Sequence, residues 1–78
     1  MTDVDKPMGM MEIADLLGTS YKYVQMMRHR AAVKRREAAE AGFEPDPDLF
    51  PVEDMIVSER PLWWASTIEA WAKRTGRI

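Results

Sequence analysis

The sequence predicts a single, mainly α-helical domain with a small β-hairpin. Three observations carry that prediction. Apolar residues recur at helical spacing between Met10 and Leu17 and again after Ser66. A tract of strong helix formers, Ala, Lys, Arg and Glu, runs from Ala31 to Ala41. Two short β-prone pieces, Glu53 to Val57 and Pro61 to Trp64, flank Ser58-Glu59-Arg60. A chain of 78 residues has room for one domain. At this size folding buries only about 60% of the surface, so the core is small.

Each element has its own signal. Residues 1–9 are expected to form a flexible N-terminus, with Pro7 and Gly9 as breakers, and the domain proper to span 10–78. In the first helix, Met10 to Leu17, Ile13, Leu16 and Leu17 fall on one apolar stripe. Gly18 ends it, as glycine does at a helix C′ position, and Thr19 and Ser20 offer N-caps for the next. The second helix starts near Ser20 and meets no breaker before Gly42, so a helix of about 20 residues is expected, with Ala31–Val33 as the place for any kink. Val24 and Met27 face inward, with Tyr23 or Ala31, and the Met10–Met11 and Met26–Met27 pairs read as gap-filling core. Residues 43–51, FEPDPDLFP, hold three prolines and no helical period, which is a loop. Ser66-Thr67-Ile68-Glu69 fits a capping box. It opens a last helix with Ile68, Trp71 and Ala72 on its apolar face and Gly76 as its stop.

Composition removes several function classes. The chain has no cysteine and one histidine, His29, so thiolate zinc sites, disulfide scaffolds and cysteine nucleophiles are excluded. No cofactor or metal is expected, and His29 reads as an exposed polar residue. An enzyme would need paired carboxylates in a pocket, whereas Glu53-Asp54 sit on a loop or hairpin. No apolar run approaches the ~20 residues that span a bilayer. The acidic, polar start does not read as a signal peptide, and no membrane partner is expected.

The net charge of −2 hides a strong segregation. Residues 21–36 carry six bases and no acid, residues 37–59 eight acids and no base, and residues 60–78 four bases and one acid. Local charge, not the total, guides a polyanion. The bland account is a solvated helix face on which Lys34, Arg35 and Arg36 pair with Glu37 and Glu40.

The element order is short helix, glycine turn, basic helix, loop, hairpin, short helix. That is the order of a helix-turn-helix followed by a wing. Two steeply crossing helices need a tight corner and a small residue, here Ala14, at their closest approach. Ile13, Leu17, Val24 and Met27 would fill the wedge between them. Residues 10–22, with EIADLLGTS at 12–20, resemble the helix-turn-helix of the excisionase and MerR-type winged-helix families. The shared features are the Glu-Ile-Ala start, the Leu-Gly corner, the polar capping pair and Val24 six residues past the glycine. The closing segment RPLWWASTIEAWAKRTGR, 60–77, is similar too, with Leu62, Trp63, Ile68 and Trp71 as its matches. Phe50-Pro51 resembles the Phe-Pro ahead of the family's wing. The chain departs from the pattern in its long, acidic 31–49 stretch and in Trp64, where a polar or basic residue is usual. Size, fold and acidic balance resemble small excisionases of actinobacterial phages, the recombination directionality factors.

The resemblance implies a non-catalytic protein in the cytoplasm of a bacterial host. Such a protein binds repeated sites near a phage attachment site, bends double-stranded DNA and directs a tyrosine or serine integrase toward excision. On that reading the first half of the second helix enters the major groove and offers Ser20, Tyr21, Lys22, Tyr23, Gln25, Met26, Arg28 and His29. Gln25 can take adenine and Arg28 guanine, while Tyr21, Lys22 and Arg30 suit phosphates. Ser58, Glu59 and Arg60 form the wing tip, with Arg60 suited to a narrow minor groove. Tyr23 is divided between core and contact. Trp63 and Trp71 belong to the core, whereas Trp64 stays open between core, contact and interface. The acidic tract is expected to meet a basic surface of integrase or of a neighbouring protomer in head-to-tail self-association on DNA. Its rival is a solvated loop. Two other functions fit the same residues: a transcriptional regulator of a phage or mobile-element operon, and a small protein-interaction adaptor whose basic helix binds an acidic partner.

Overall fold

A computed structural model describes residues 5–78. The order is β1 (Pro7–Met8), α1 (Met10–Leu17), α2 (Tyr21–Ala41), β2 (Met55–Val57), β3 (Arg60–Trp64) and α3 (Ala65–Arg74). Three helices pack with one small antiparallel sheet in the order β1-β3-β2. The expected mainly α architecture with a hairpin is therefore present, with one strand more than the sequence suggested.

That strand corrects the expectation of a flexible N-terminus. Residues 1–4 lie outside the described residues, but 5–9 are built into the domain. Pro7 pairs with Trp64 and Met8 with Trp63. An edge position suits a proline, which has no N–H to give a ladder. Pro61 lies on the central strand, yet it costs the ladder nothing. Val57 and Arg60 close the two-residue turn, so the next pair, Ile56 with Pro61, falls on the non-hydrogen-bonded step. Ser58 and Glu59 form the turn with φ of 50° and 65°. Both angles match the hairpin turn that usually takes Asn-Gly, so the tip holds two side chains in a disfavoured backbone region.

The predicted capping box of α3 is absent. The helix starts at Ala65, and its N-cap residue, Trp64, offers no side-chain acceptor. Two of its free amides are satisfied from the other end of the chain. Ala65 N donates to the Lys6 carbonyl at 2.8 Å and Ser66 N to Asp5 Oδ1 at 3.0 Å. The Ser66 hydroxyl, assigned above to Glu69, donates to Asp5 Oδ2. A carboxylate here also complements the positive helix terminus. These bonds from Ser66 hold the Asp5 carboxyl below its ordinary 3.8.

The core is aromatic. Phe50 stands edge-on between Trp63 and Trp71, with ring centroids 5.3 and 5.1 Å away and interplanar angles of 74° and 79°. Ile13, Ala14, Val24, Ala31, Ile68 and Ala72 complete the buried set. Of the stripe predicted on α1, Ile13 is buried and Leu17 packs against the core, but Leu16 is exposed and Ala14 takes the inner place. Each tryptophan N–H holds a loop carbonyl: Trp63 Nε1 donates to Pro51 O at 2.9 Å and Trp71 Nε1 to Asp48 O at 3.0 Å. The loop after α2 is thus fixed by the core it crosses.

Phe50→Ala should cost about 3–5 kcal/mol, the range for a buried phenylalanine. Urea unfolding followed by tryptophan fluorescence measures it, and a loss under 1 kcal/mol would remove Phe50 from this central role. The Asp5 tie has a signed pH dependence. A carboxyl lowered in the folded state adds stability above its unfolded value of 3.8, and that stability is lost as pH falls through the folded value. The urea midpoint of the native chain should drop more steeply below pH 4 than that of Asp5→Asn. Parallel curves would refute the tie.

Candidate nucleic-acid interface

The corner between α1 and α2 sets the direction of the long helix. Gly18 ends α1 at φ 67°, a left-handed conformation that glycine adopts without strain. Thr19 N returns to Ala14 O at 2.9 Å, closing the turn over a buried alanine. Ser20 caps α2, its hydroxyl accepting from Tyr23 N at 3.1 Å. That bond commits the Ser20 side chain to the helix start, which is a positioning role. The 21 residues of α2 give a rod about 31 Å long. It runs without interruption through Ala31–Val33.

Helical spacing sorts the candidate residues. Val24 and Ala31 are buried and Met27 packs against the core, which fixes the inner face. Lys22, Gln25, Met26, His29 and Arg30 stand at i, i+3, i+4, i+7 and i+8, are all exposed, and together line one shallow groove. Tyr21 and Tyr23, 41% and 39% exposed, flank the first turn, which settles Tyr23 as a surface residue. Met26 is also on the surface, against the expectation of core. It lies two residues past Val24 and so on the opposite side of the helix, a signal the spacing already contained.

Arg28 is placed differently. It lies on the flank of α2, its guanidinium 6.0 Å from the Trp63 ring centroid and 3.5 Å from Glu53 Oε1. It is held against the hairpin instead of standing with Gln25 and His29 on the outward face. Among the described residues the expected pairing of Lys34, Arg35 and Arg36 with Glu37 and Glu40 does not form. Arg35 instead donates to Phe50 O at 2.6 Å, tying α2 to the loop. At the hairpin, Ser58 and Glu59 make the tip, whereas Arg60 is the first residue of β3, paired with Val57 and exposed. Trp64 is 39% exposed beside β1, with its amide held by Asp54 at 2.9 Å.

The acidic tract is less free than its charge suggests. Asp48 pairs with Arg74 at 2.9 Å, Glu53 with Arg28, and Asp54 with the Trp64 amide. Arg74 also reaches Pro47 O, and Arg77 lies 5.0 Å from the Trp71 ring centroid. Two of the four bases in the closing segment therefore serve the fold. Glu37, Glu40, Glu44 and Asp46 remain exposed. Among the described residues no three His, Cys, Asp or Glu cluster to hold a metal, and no helix is long and apolar enough to cross a membrane.

Ser20→Ala should destabilise the domain by about 1 kcal/mol, and Ser20→Gly by only a few tenths, as expected for a lost N-cap. Thermal unfolding of the two variants checks the order. Equal effects would mean that the cap does not set the start of α2.

Comparison with family models, with curated proteins and with solved structures returned no match.

Proposed function

We propose that this chain binds double-stranded DNA as a winged helix-turn-helix. In this reading α1 and α2 form the helix-turn-helix, α2 lies in the major groove, and the β2–β3 hairpin is the wing. One observation carries the proposal: the first half of α2 presents Lys22, Gln25, Met26, His29 and Arg30 along one exposed face with no acid among them. A helix of this diameter fits the major groove, and these side chains cover its needs. Gln25 can bond adenine through both amide atoms. Met26 offers an apolar contact to a thymine methyl. His29 can bond a base edge or a phosphate. Lys22, Arg30 and the Tyr21 hydroxyl reach phosphates, which fix register. Tyr23 extends the same edge, Ser20 holds the helix start, and Arg60 with Ser58 serves the flanking minor groove.

We place the chain among architectural factors of site-specific recombination, binding repeated sites beside a phage attachment site, bending the DNA and directing an integrase toward excision. Support for this step is the resemblance of residues 10–30 and 50–77 to excisionases. Head-to-tail self-association would use the exposed acids Glu37, Glu40, Glu44 and Asp46, since Asp48 is already paired with Arg74.

Gel shifts on the DNA flanking the gene, run across a salt series, test the binding. Affinity should fall steeply with salt, and Lys22→Ala and Arg30→Ala should each reduce the log–log slope by about 0.9. Gln25→Ala should lose about 1–3 kcal/mol of discrimination at one A·T pair. Salt-independent binding, or none, would defeat the proposal. A recombination assay with the neighbouring integrase then separates the two roles: stimulated excision supports the directionality factor, and binding without any effect on recombination supports the regulator.

A further inference from the structure

Beside the outward face, α2 and the loop residues 51–53 line a second, open cleft of about 620 Å³. Gln25 and His29 line both this cleft and the shallow groove, so the two surfaces are continuous. Its wall carries Arg28 and Arg35, and Glu53 stands opposite Arg28.

Arg28 is poorly served there. A guanidinium has five N–H donors, yet Arg28 makes one stretched contact, 3.5 Å to Glu53, beyond the usual 2.7–3.2 Å of a good bond. Its Nε is shielded from solvent and has no partner among the described residues. The face of Trp63 supports the group on one side. Such an arginine is anchored and charged, with its donors largely unused. Arg35 is anchored as well, through Phe50 O, in the same wall.

We propose that this cleft is a seat for a DNA backbone phosphate, and that Glu53 occupies it in the free protein as an internal stand-in. Binding moves the strand's phosphate against Arg28, and the Glu53 carboxylate turns to solvent. A phosphate satisfies the guanidinium through two parallel N–H···O bonds, with Arg35 and His29 at the rim. Arg28 is then a backbone clamp and not a reader of guanine, and Glu53 tunes affinity by competing for it. This inference rests on the DNA-binding reading of the preceding subsection.

The test is a salt-series gel shift with the full chain, using Glu53→Gln, Arg28→Met and the double variant. Methionine keeps an apolar stem over Trp63 without the charge; Arg28→Gln replaces it if the methionine variant fails to fold by circular dichroism. Glu53→Gln should bind DNA several-fold more tightly than the native chain, and the gain should vanish in the double variant. Arg28→Met alone should lower the log–log slope by about 0.9, one phosphate contact, and weaken all sequences alike. Native binding with no gain for Glu53→Gln overturns the stand-in while leaving DNA binding intact. A gain that persists without Arg28 also overturns it, because the effect would then be general repulsion. Arg28→Met relaxing selection at one G·C pair would restore base reading and refute the clamp. If the native chain binds no DNA at any salt, the parent reading falls and this one with it.

Discussion

The placement of Phe50 between two tryptophans is the constraint on which the rest of this domain depends. Trp63 belongs to β3, Trp71 to α3, and Phe50 to the loop leaving α2. Three separate parts of the chain therefore meet at one set of rings. Edge-to-face pairs of this kind add about 0.5–1.5 kcal/mol each beyond the area they bury. Their larger contribution is to direction, because both indole N–H groups bond loop carbonyls, at Pro51 and Asp48. A loop of more than ten residues without secondary structure is uncommon in a compact domain unless something holds it. Here the core itself holds it, and Arg35 adds a third bond at the Phe50 carbonyl. The hairpin then lies in a fixed relation to α2, since Trp63 also carries Arg28 on its face.

Charge follows from that arrangement. A small chain cannot bury its ions, and among the described residues no charged side chain is buried. It uses them at the rim. The Arg74–Asp48 pair, about half exposed on both sides, contributes little as a Coulombic pair. Its value lies in geometry, because Arg74 also takes Pro47 O and so fastens the same loop to α3. One acid of the central tract, Asp48, is thereby matched to one base of the closing segment, Arg74. The bases on the first half of α2 have no such duty apart from Arg28. Lys22 and Arg30 therefore stand as uncommitted positive charge on an acid-free stretch of one helix, although the whole chain is slightly acidic.

Much of this was legible before any coordinates, and what was missed shares a physical cause. Local rules found α1, the Gly18 corner, the Ser20 cap, α2, the hairpin and the buried face of α3. Each of these depends on residues within about four positions of one another. Most errors concern contacts between distant residues, while Leu16, Met26 and Arg28 were misjudged in their angle on the helix. Ser66 has a suitable partner at Glu69 by the local rule, yet it bonds Asp5, 61 positions away. Strand β1 is two residues long and exists only because β3 offers an edge. Lys34 and Arg36 have Glu37 and Glu40 at i+3 and i+4, yet neither pair forms among the described residues, and Arg35, with no acid at that spacing, bonds a carbonyl brought to it by the loop. Arg28 looked like an outward base reader because its charge was counted without its angle. Two residues on the inner side, Val24 and Ala31, already confined it to the flank.

If α2 reads DNA as proposed, one helix serves both recognition and the core, and variants are chosen with that in view. Val24, Met27 and Ala31 face the core from α2, while Lys22, Gln25, Met26, His29 and Arg30 face away. Changes on the outward set touch no core atom, so a loss of binding there can be assigned to the interface. Ser20, Arg28 and Arg35 are different, because each also holds the fold: the cap of α2, the contact with Trp63, and the tie to Phe50. A binding defect at these three is ambiguous until stability is measured alongside it. Salt dependence resolves the ambiguity. A destabilised domain lowers affinity by one factor at every salt concentration at which its folded fraction is unchanged, whereas a lost phosphate contact changes the slope. The slope therefore separates a residue that meets DNA from one that only holds the helix in place.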